Sequence, residues 1–345
     1  MRRYLLFVSE LYALPVLRPL QASIRARGGE AAWFFEKGGA DHLHADERLL
    51  GSVPEVKAFR PDAVLVPGNW VPDYFPGLKV EVFHGFNVHK REDHRGHFRL
   101  RGFFDLYCTQ GPHTTEPFRR LEAEHGYFRV VETGWPKMDP LFRPDPAPVS
   151  TPAGRPVVMY ASTFTPSLSS AAHLLETVRE LSREGRWHWL VTLHPKMDPE
   201  IVSRFRDLEG PNLGFFESDH IVSLYKAADV LLSDTSSVIS EFILQARPVV
   251  TFRNRRPAPH MLDVSEPGEV EGAIAHALTH PDGLMQAVRA YADHIHPYRD
   301  GRSSERVLDA VEDALTRGRN GLSRKPLNLW RRVQARQRLG YWRLF

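Results

Sequence analysis

The order of apolar and polar positions divides the chain into two blocks with the same rhythm. In the first, short runs of Val, Leu, Phe and Ala predict strands at Tyr4–Val8, Ala31–Phe35, Ala63–Val66, Val80–Phe83, Asp105–Thr109 and Arg129–Glu132. Apolar positions recurring every three to four residues predict helices at Val16–Arg27 and Thr114–Glu124. Strands that are apolar at successive positions fit a parallel sheet buried on both faces. Pro140–Pro156 then carries six prolines and no period, the mark of a linker. Beyond it the alternation restarts. Strands are predicted at Val157–Ala161, Trp189–Leu193, Leu213–Phe216, Val230–Ser233 and Val249–Phe252. Helices are predicted at Ser169–Arg183, Pro199–Leu208, Ile221–Ala227, Ser237–Gln245 and Val270–Thr279. The pattern therefore predicts two doubly wound α/β domains, at residues 1–140 and 157–316, joined by a linker at 141–156 and followed by a basic amphipathic segment at 317–345.

Composition narrows the class. The chain has 345 residues, enough for two cores, and 42% hydrophobic with 25% charged residues is ordinary for a globular protein. No apolar run approaches the roughly 18 to 20 residues that span a bilayer. The opening MRRYLLFVSELYALPVL places two arginines before an apolar stretch, as a signal peptide does. Glu10 interrupts that stretch and no small-residue cleavage site follows, so a first strand entering a helix is expected instead. A single cysteine, Cys108, excludes an internal disulfide and a Cys-based zinc cluster, and a cytoplasmic location is expected.

The net charge of +3 conceals an asymmetry. From Arg317 to Phe345 there are nine Lys or Arg and no acid, so the rest of the chain holds 36 basic against 42 acidic residues. A nucleic-acid binder spreads its cations over a folded face, so no nucleic-acid partner is expected. Within the tail Leu327, Trp330 and Val333 recur every three residues among Arg331, Arg332, Arg336 and Arg338, and Trp342, Leu344 and Phe345 close the chain. That pattern suits peripheral contact with an anionic membrane, on the inner face of the plasma membrane. It equally suits a helix that returns to pack on the first domain.

Candidate chemistry sits where open α/β sheets bind ligands, beyond the carboxyl ends of strands. Neither a G-x-G-x-x-G nor a G-x-x-x-x-G-K-[ST] motif occurs. In Val230–Phe252 a buried strand ends at Asp234, and Thr235, Ser236 and Ser237 open a helix that carries Glu241. Free N–H groups with hydroxyls at a helix start can cradle phosphate, and Glu241 one turn deeper can hold ribose hydroxyls. A Ser N-cap with Glu as its capping-box partner reads the same residues structurally. A second strand ends in His194-Pro195-Lys196, where the imidazole can bind a diphosphate oxygen or serve the loop. A third ends in His84-Gly85, where a histidine at a sharp turn suits a general base. His89, His94 and His97 follow, but their spacing matches no compact ligand set, and Lys90, Arg91 and Arg95 between them repel a cation, so no metal is expected. The fourth cluster, Gly134-x-Pro136-Lys137-x-Asp139, reads as a tight turn leading to the linker.

Taken together these clusters resemble the CDP-glycerol:poly(glycerophosphate) glycerophosphotransferases of teichoic-acid synthesis. The resemblance rests on His84-Gly85 with Lys90, Gly134-Trp135-Pro136-Lys137-Met138-Asp139, Tyr160-Ala161-Ser162-Thr163 and His194-Pro195. It extends to Ser233-Asp234-Thr235-Ser236-Ser237 with Glu241, and to Asp300-Gly301-Arg302-Ser303-Ser304-Glu305-Arg306, in family order from Lys79 to Val311. Thr235 stands in place of the family's tyrosine, Ser162 in place of proline, and Phe86-Asn87 in place of Thr-Pro. The resemblance implies the GT-B fold, two Rossmann-like doubly wound domains facing a central cleft. It implies transfer of glycerol phosphate or another polyol phosphate from a CDP-linked donor to a hydroxyl on a cell-envelope polymer or lipid-linked saccharide, with release of CMP and no further cofactor.

By the same resemblance the donor is bound by Ser162, Thr163, His194, Asp234, Thr235, Ser236 and Ser237, with Glu241 on the ribose. His84, from the opposite domain, takes the proton of the acceptor hydroxyl. Gly85, Lys90, Lys137 and Asp139 contact the acceptor or its phosphate. With no added N-terminal transferase domain, single transfer or a compact polymerase is expected. A GT-B glycosyltransferase using a nucleotide sugar, or a nucleotide-sugar epimerase, remains the alternative.

Overall fold

The structure, a computed structural model, describes residues 1–86, 98–145 and 148–342. Its elements begin with β1 (Arg3–Val8), α1 (Leu14–Ala26), β2 (Glu30–Phe35), α2 (Val53–Phe59), β3 (Ala63–Val66) and β4 (Leu78–Glu81). They continue with β5 (Leu106–Thr109), α3 (Pro112–His125), β6 (Arg129–Glu132), β7 (Val157–Ser162), α4 (Ala171–Glu184), β8 (His188–Leu193) and α5 (Pro199–Arg206). Then come β9 (Leu213–Phe215), α6 (Ile221–Ala227), β10 (Val230–Ser233), α7 (Val238–Phe242), β11 (Val249–Phe252) and β12 (Leu262–Val264). The chain ends with α8 (Val270–Leu278), α9 (Asp282–Ile295), α10 (Ser303–Arg317) and α11 (Leu329–Leu339). Two compact units result, Met1–Phe142 with Ile295–Phe345, and Arg143–His294.

In the first unit six parallel strands run in the order β2-β1-β3-β4-β5-β6. The order reverses between β1 and β3, so the crevice of this sheet opens beyond Val8 and Val66. One face is closed by an aromatic-rich core that includes Phe7, Phe34, Phe75, Tyr107, Phe118 and Phe128. The second unit is also all parallel, β12-β11-β10-β7-β8-β9, and its reversal lies between β7 and β10. Its core joins Tyr160, Trp189, Leu232 and Val250 of the strands to Leu174, Phe205 and Ile274 of the helices. Every strand expected from the sequence is present within a few residues of its expected bounds.

Three differences have physical causes. α2 has seven residues, started by Ser52 accepting from the Glu55 N–H, and is too short to display a helical period. The helix expected at Ser237–Gln245 is five residues of α-helix followed by a 3-10 turn, Ile243–Gln245, and is ended by Ala246 in a left-handed conformation at φ +55°. The second domain was expected to run to residue 316, yet the chain leaves that unit after His294. α10 belongs to the first unit, where it packs on α1 and buries Val307, Leu308, Val311 and Ala314. No helix was expected between Thr279 and the tail, so neither α10 nor the core that it covers was anticipated.

The tail follows α10 onto the first unit. Lys325 and Arg319 reach Asp105 at 2.6 and 3.1 Å, Arg336 and Arg332 reach Asp73 at 3.2 and 3.6 Å, and Arg338 reaches Glu36 at 3.7 Å. Tyr341 stacks on Tyr74 with ring centroids 5.3 Å apart, and the Arg336 guanidinium lies 4.9 Å from the Tyr74 ring. These five cations, expected from the sequence to face a membrane, are paired with carboxylates of the first unit. The apolar positions behave differently. Among the described residues ten large hydrophobics are exposed, and five of them are Leu327, Leu329, Trp330, Val333 and Trp342. At about 100° per residue, Leu329, Val333 and Trp330 fall within about 100° of one another on α11, and Arg336 and Arg332, which bond Asp73, follow directly on the Leu329 side.

Asp73→Asn removes the negative charge, and one of the two acceptor oxygens, that Arg332 and Arg336 share. It is expected to lower unfolding free energy by about 1–3 kcal/mol, as for hydrogen bonds to charged groups, and to speed tryptic cleavage between residues 324 and 338. Unchanged denaturant midpoint and digestion rate would mean that the aromatic contacts alone hold the tail.

Candidate functional site

In the first unit the site is built around a strained turn. β4 ends at Glu81, and Phe83 then adopts φ +59°, a left-handed conformation that is rare for an aromatic residue. Such strain, on the order of 1–3 kcal/mol, persists only where the surroundings hold it. Here three side chains do so. The Trp135 indole N–H donates to the Phe83 carbonyl at 3.2 Å, Gln110 Nε2 donates to the Gly85 carbonyl at 2.9 Å, and His113 Nε2 donates to the Phe86 carbonyl at 3.2 Å. The Phe86 ring meets Trp135 edge-on at 4.9 Å.

His84 is exposed at this turn, beside the sheet's crevice. Its Nδ1 lies 3.1 Å from the Pro67 carbonyl, which can only accept, so Nδ1 carries a proton and the lone pair of the neutral ring is on Nε2. The Tyr12 ring flanks the imidazole with centroids 4.9 Å apart. A histidine with a fixed tautomer and its basic nitrogen directed away from its anchor is suited to take a proton.

The Gly134–Asp139 motif supports this turn from behind. Gly134 has φ +79°, and a Cβ there would stand 2.5 Å from Ser303 Oγ and 3.0 Å from His296 Nε2. The Trp135 N–H donates to His296 Nε2 at 2.9 Å, and burial pushes the His296 pKa down to about 4, keeping it a neutral acceptor. Asp139, expected as an acceptor or phosphate contact, is buried, and its two oxygens accept from the Ser303 and Ser304 N–H groups at 2.7 and 2.8 Å. It caps α10. Desolvation raises its pKa, against the pull of the Ser304 and Ser303 hydrogen bonds. Lys137 Nζ sits 5.2 Å from the Trp135 ring. Lys90, with His89, His94 and His97, lies outside the described residues.

In the second unit Asp234 closes the crevice between β7 and β10. It has no exposed surface, and its carboxylate accepts from Ser162 Oγ at 2.6 Å, Ser170 N at 2.9 Å, Ser170 Oγ at 3.0 Å and Thr163 N at 3.1 Å. Burial raises its pKa and these hydrogen bonds oppose the rise. Asp234, Ser162 and the Thr163 N–H thus form a peg that shapes the loop after β7. Thr235 Oγ1 accepts from the Arg255 N–H at 3.1 Å, tying the loop after β11 to the same turn.

Ser237 occupies the N-cap position of α7 without a side-chain cap bond, and Ser236 Oγ is 3.5 Å from the Val238 nitrogen. Glu241 is bonded to the Tyr225 hydroxyl at 3.0 Å. The capping-box arrangement that was the structural alternative is therefore absent from this turn. A five-residue helix also supplies little macrodipole, so what the turn offers an anion is chiefly hydroxyls and N–H groups.

His194 Nδ1 accepts from the Lys196 N–H at 3.0 Å, which puts the ring proton on Nε2 and makes that nitrogen a donor. Burial, helped by Lys196, lowers its pKa, so it donates as a neutral ring at pH 7. Phe164 packs against it at 4.3 Å. Tyr12, Gln110, Trp135 and Tyr225 were not singled out by sequence reasoning. Only Trp135 carried a signal, its place inside the Gly134–Asp139 motif. Among the described residues no group of three or more His, Cys, Asp or Glu could hold a metal ion.

Residues 87–256 match the model of a family described as CDP-Glycerol:Poly(glycerophosphate) glycerophosphotransferase. Over this stretch, just under half of the chain, the sequence is similar to that family. Its segment includes Tyr160–Thr163, His194-Pro195 and the Ser233–Ser237 turn with Glu241, and stops before α10.

Among curated proteins, the chain is 27% identical over 206 residues to the teichoic acid ribitol-phosphate polymerase TarK of Staphylococcus aureus, covering 52% of this chain and 40% of that protein. It is 22% identical over 207 residues to the teichoic acid glycerol-phosphate primase of Bacillus subtilis, covering 54% and 52%. The chain thus spans about half the length, or less, of these relatives. Among solved structures, the wall teichoic acid polymerase TagF is similar at a TM-score of 0.62 and 15% identity, covering 91% of this chain and 88% of that one. A putative UDP-N-acetylglucosamine 2-epimerase from Listeria monocytogenes is similar at 0.66 and 13%, covering 94% and 99%. These likenesses are of fold, the two Rossmann-like units of GT-B proteins.

The peg makes a stability prediction. Asp234→Ala leaves the Thr163 and Ser170 N–H groups without their acceptor and forces the Ser162 and Ser170 hydroxyls onto Thr163, Ser169 and Tyr160, and is expected to destabilise by about 3 kcal/mol. Asp234→Asn, which keeps one acceptor oxygen, is expected to lose less. Equal melting temperatures for Asp234→Ala and the native protein would remove Asp234 from this role.

Proposed function

We propose that this protein is an enzyme that transfers glycerol phosphate, or another polyol phosphate, from a CDP-linked donor to a hydroxyl of a cell-envelope polymer or lipid-linked saccharide. The observation that carries the reading is the family segment, which contains the second unit's strand-end turns at His194 and at Thr235–Ser237. In this reading His194 Nε2–H, the Ser236 and Ser237 hydroxyls and nearby N–H groups bind the donor diphosphate, and Glu241 receives the ribose hydroxyls. His84 Nε2 takes the proton from the acceptor hydroxyl as its oxygen attacks the β-phosphorus. The bond from that phosphorus to the bridging oxygen breaks, and CMP leaves with the electron pair. Positioning and charge neutralisation are the main demands of such a transfer.

Incubation with CDP-glycerol, CDP-ribitol and UDP-sugars, each with and without a polymer acceptor, tests this. CMP released only in the presence of acceptor is expected, and UDP or an epimerised sugar would overturn it. His84→Ala is expected to lower turnover on the order of 10²- to 10⁴-fold while donor affinity stays near the native value. Loss of donor affinity with turnover kept at saturation would make His84 a phosphate ligand instead.

The same reading extends to location. The exposed Leu327, Leu329, Trp330 and Val333 form the part of the tail that meets an anionic bilayer at its interface, where Trp and Leu side chains are favoured. No helix among the described residues is long and apolar enough to cross a membrane. The triple variant Leu329→Ser, Trp330→Ser, Val333→Ser leaves the ion pairs to Asp73 in place. It is expected to fold normally and to lose sedimentation with phosphatidylglycerol vesicles. Native protein that ignores such vesicles at low salt would refute the membrane reading.

A further inference from the structure

The Glu241 carboxylate is 6% exposed and accepts a hydrogen bond at 3.0 Å from the hydroxyl of Tyr225, a side chain with no exposed surface. Two buried groups on different helices, α6 and α7, therefore meet at one bond. Neither is loosely held. The Tyr225 carbonyl accepts from Gln245 Nε2 at 2.8 Å and from the Arg247 guanidinium at 3.3 Å, and its ring meets Phe242 edge-on at 6.0 Å. Burial and the adjacent carboxylate keep the phenol protonated, so Tyr225 is the donor.

A carboxylate oxygen that has accepted one strong hydrogen bond no longer rotates freely, and the remaining lone pairs point in fixed directions. A vicinal diol presents two O–H donors at fixed separation, so its affinity for a carboxylate depends on that orientation. We infer that Tyr225 is a positioning residue that orients Glu241 to receive the ribose hydroxyls of the donor, giving the second unit a preference for ribonucleotides. This rests on the reading of Glu241 as the ribose contact. It adds the residue that makes the contact selective, and Tyr225 is not part of any motif that carries the family resemblance.

Isothermal calorimetry on the full chain separates the two. CMP and 2′,3′-dideoxy-CMP share base and phosphate and differ only in the two hydroxyls. The native protein is expected to prefer CMP, and Tyr225→Phe, which fills the same volume, is expected to lower CMP affinity by roughly tenfold while leaving the dideoxy ligand unchanged. In Tyr225→Phe/Glu241→Gln the loss is expected to be no larger than in Glu241→Gln alone, because both act through one contact. A native preference that survives intact in a folded Tyr225→Phe overturns the role of Tyr225 but keeps that of Glu241. No preference in the native protein overturns the ribose reading itself. Should Tyr225→Phe unfold, Glu241→Gln still decides: a preference retained in that variant rules out Glu241 and its phenol partner together.

Discussion

The left-handed backbone at Phe83 is the constraint on which the first unit is arranged. A strand leading straight on from Glu81 would carry His84 along the sheet. The reversal at Phe83 instead presents the imidazole at the crevice, and it is stable only because the Phe83, Gly85 and Phe86 carbonyls each have a side-chain donor. Those donors come from Trp135 at the end of β6 and from Gln110 and His113 around the start of α3. The Trp135 backbone is fixed in turn by His296, and the residues beyond it by Asp139 capping α10. Two motifs far apart in sequence, Gly134–Asp139 and Asp300–Arg306, thus have one physical task, to keep one histidine in one place.

The second unit solves a related problem with charge rather than strain. Asp234 gathers the loop after β7 around its carboxylate, while Asn254 and Arg255 tie the loop after β11 to the same turn. The turn at Thr235–Ser237 is therefore supported from both sides and does not depend on a long helix behind it. Its hydroxyls lie at the reversal of strand order, where an open parallel sheet leaves room beyond its strand ends.

The strands were legible because buried parallel strands are apolar at every position, a pattern that survives without knowledge of their neighbours. α2 and β12 were not, since seven and three residues are too few to show a period. His84, His194 and the Thr235–Ser237 turn were legible as polar residues following apolar runs. What could not be read was the division of labour among the motif residues. Asp139 and Asp234 look like ligand-binding carboxylates in one dimension, and only the distances to Ser303, Ser304, Ser162 and Ser170 reveal them as structural pegs. Tyr12, Gln110 and Tyr225 carry no local signal, because their importance lies in which strand end the fold brings beside them.

The return of the chain to the first unit at Ile295 makes the second unit an insertion, and this orders events during synthesis. The second unit has all its strands once residue 264 has been made, and its closing helices soon after. The first unit begins earlier but must wait, since Asp139 meets Ser303 across 164 residues and the Trp135 N–H meets His296 across 161. Contacts of that separation form slowly. A nascent chain therefore holds a completed inserted unit while the surrounding one still exposes part of its core, and Phe83 reaches its strained conformation only when the last helices arrive.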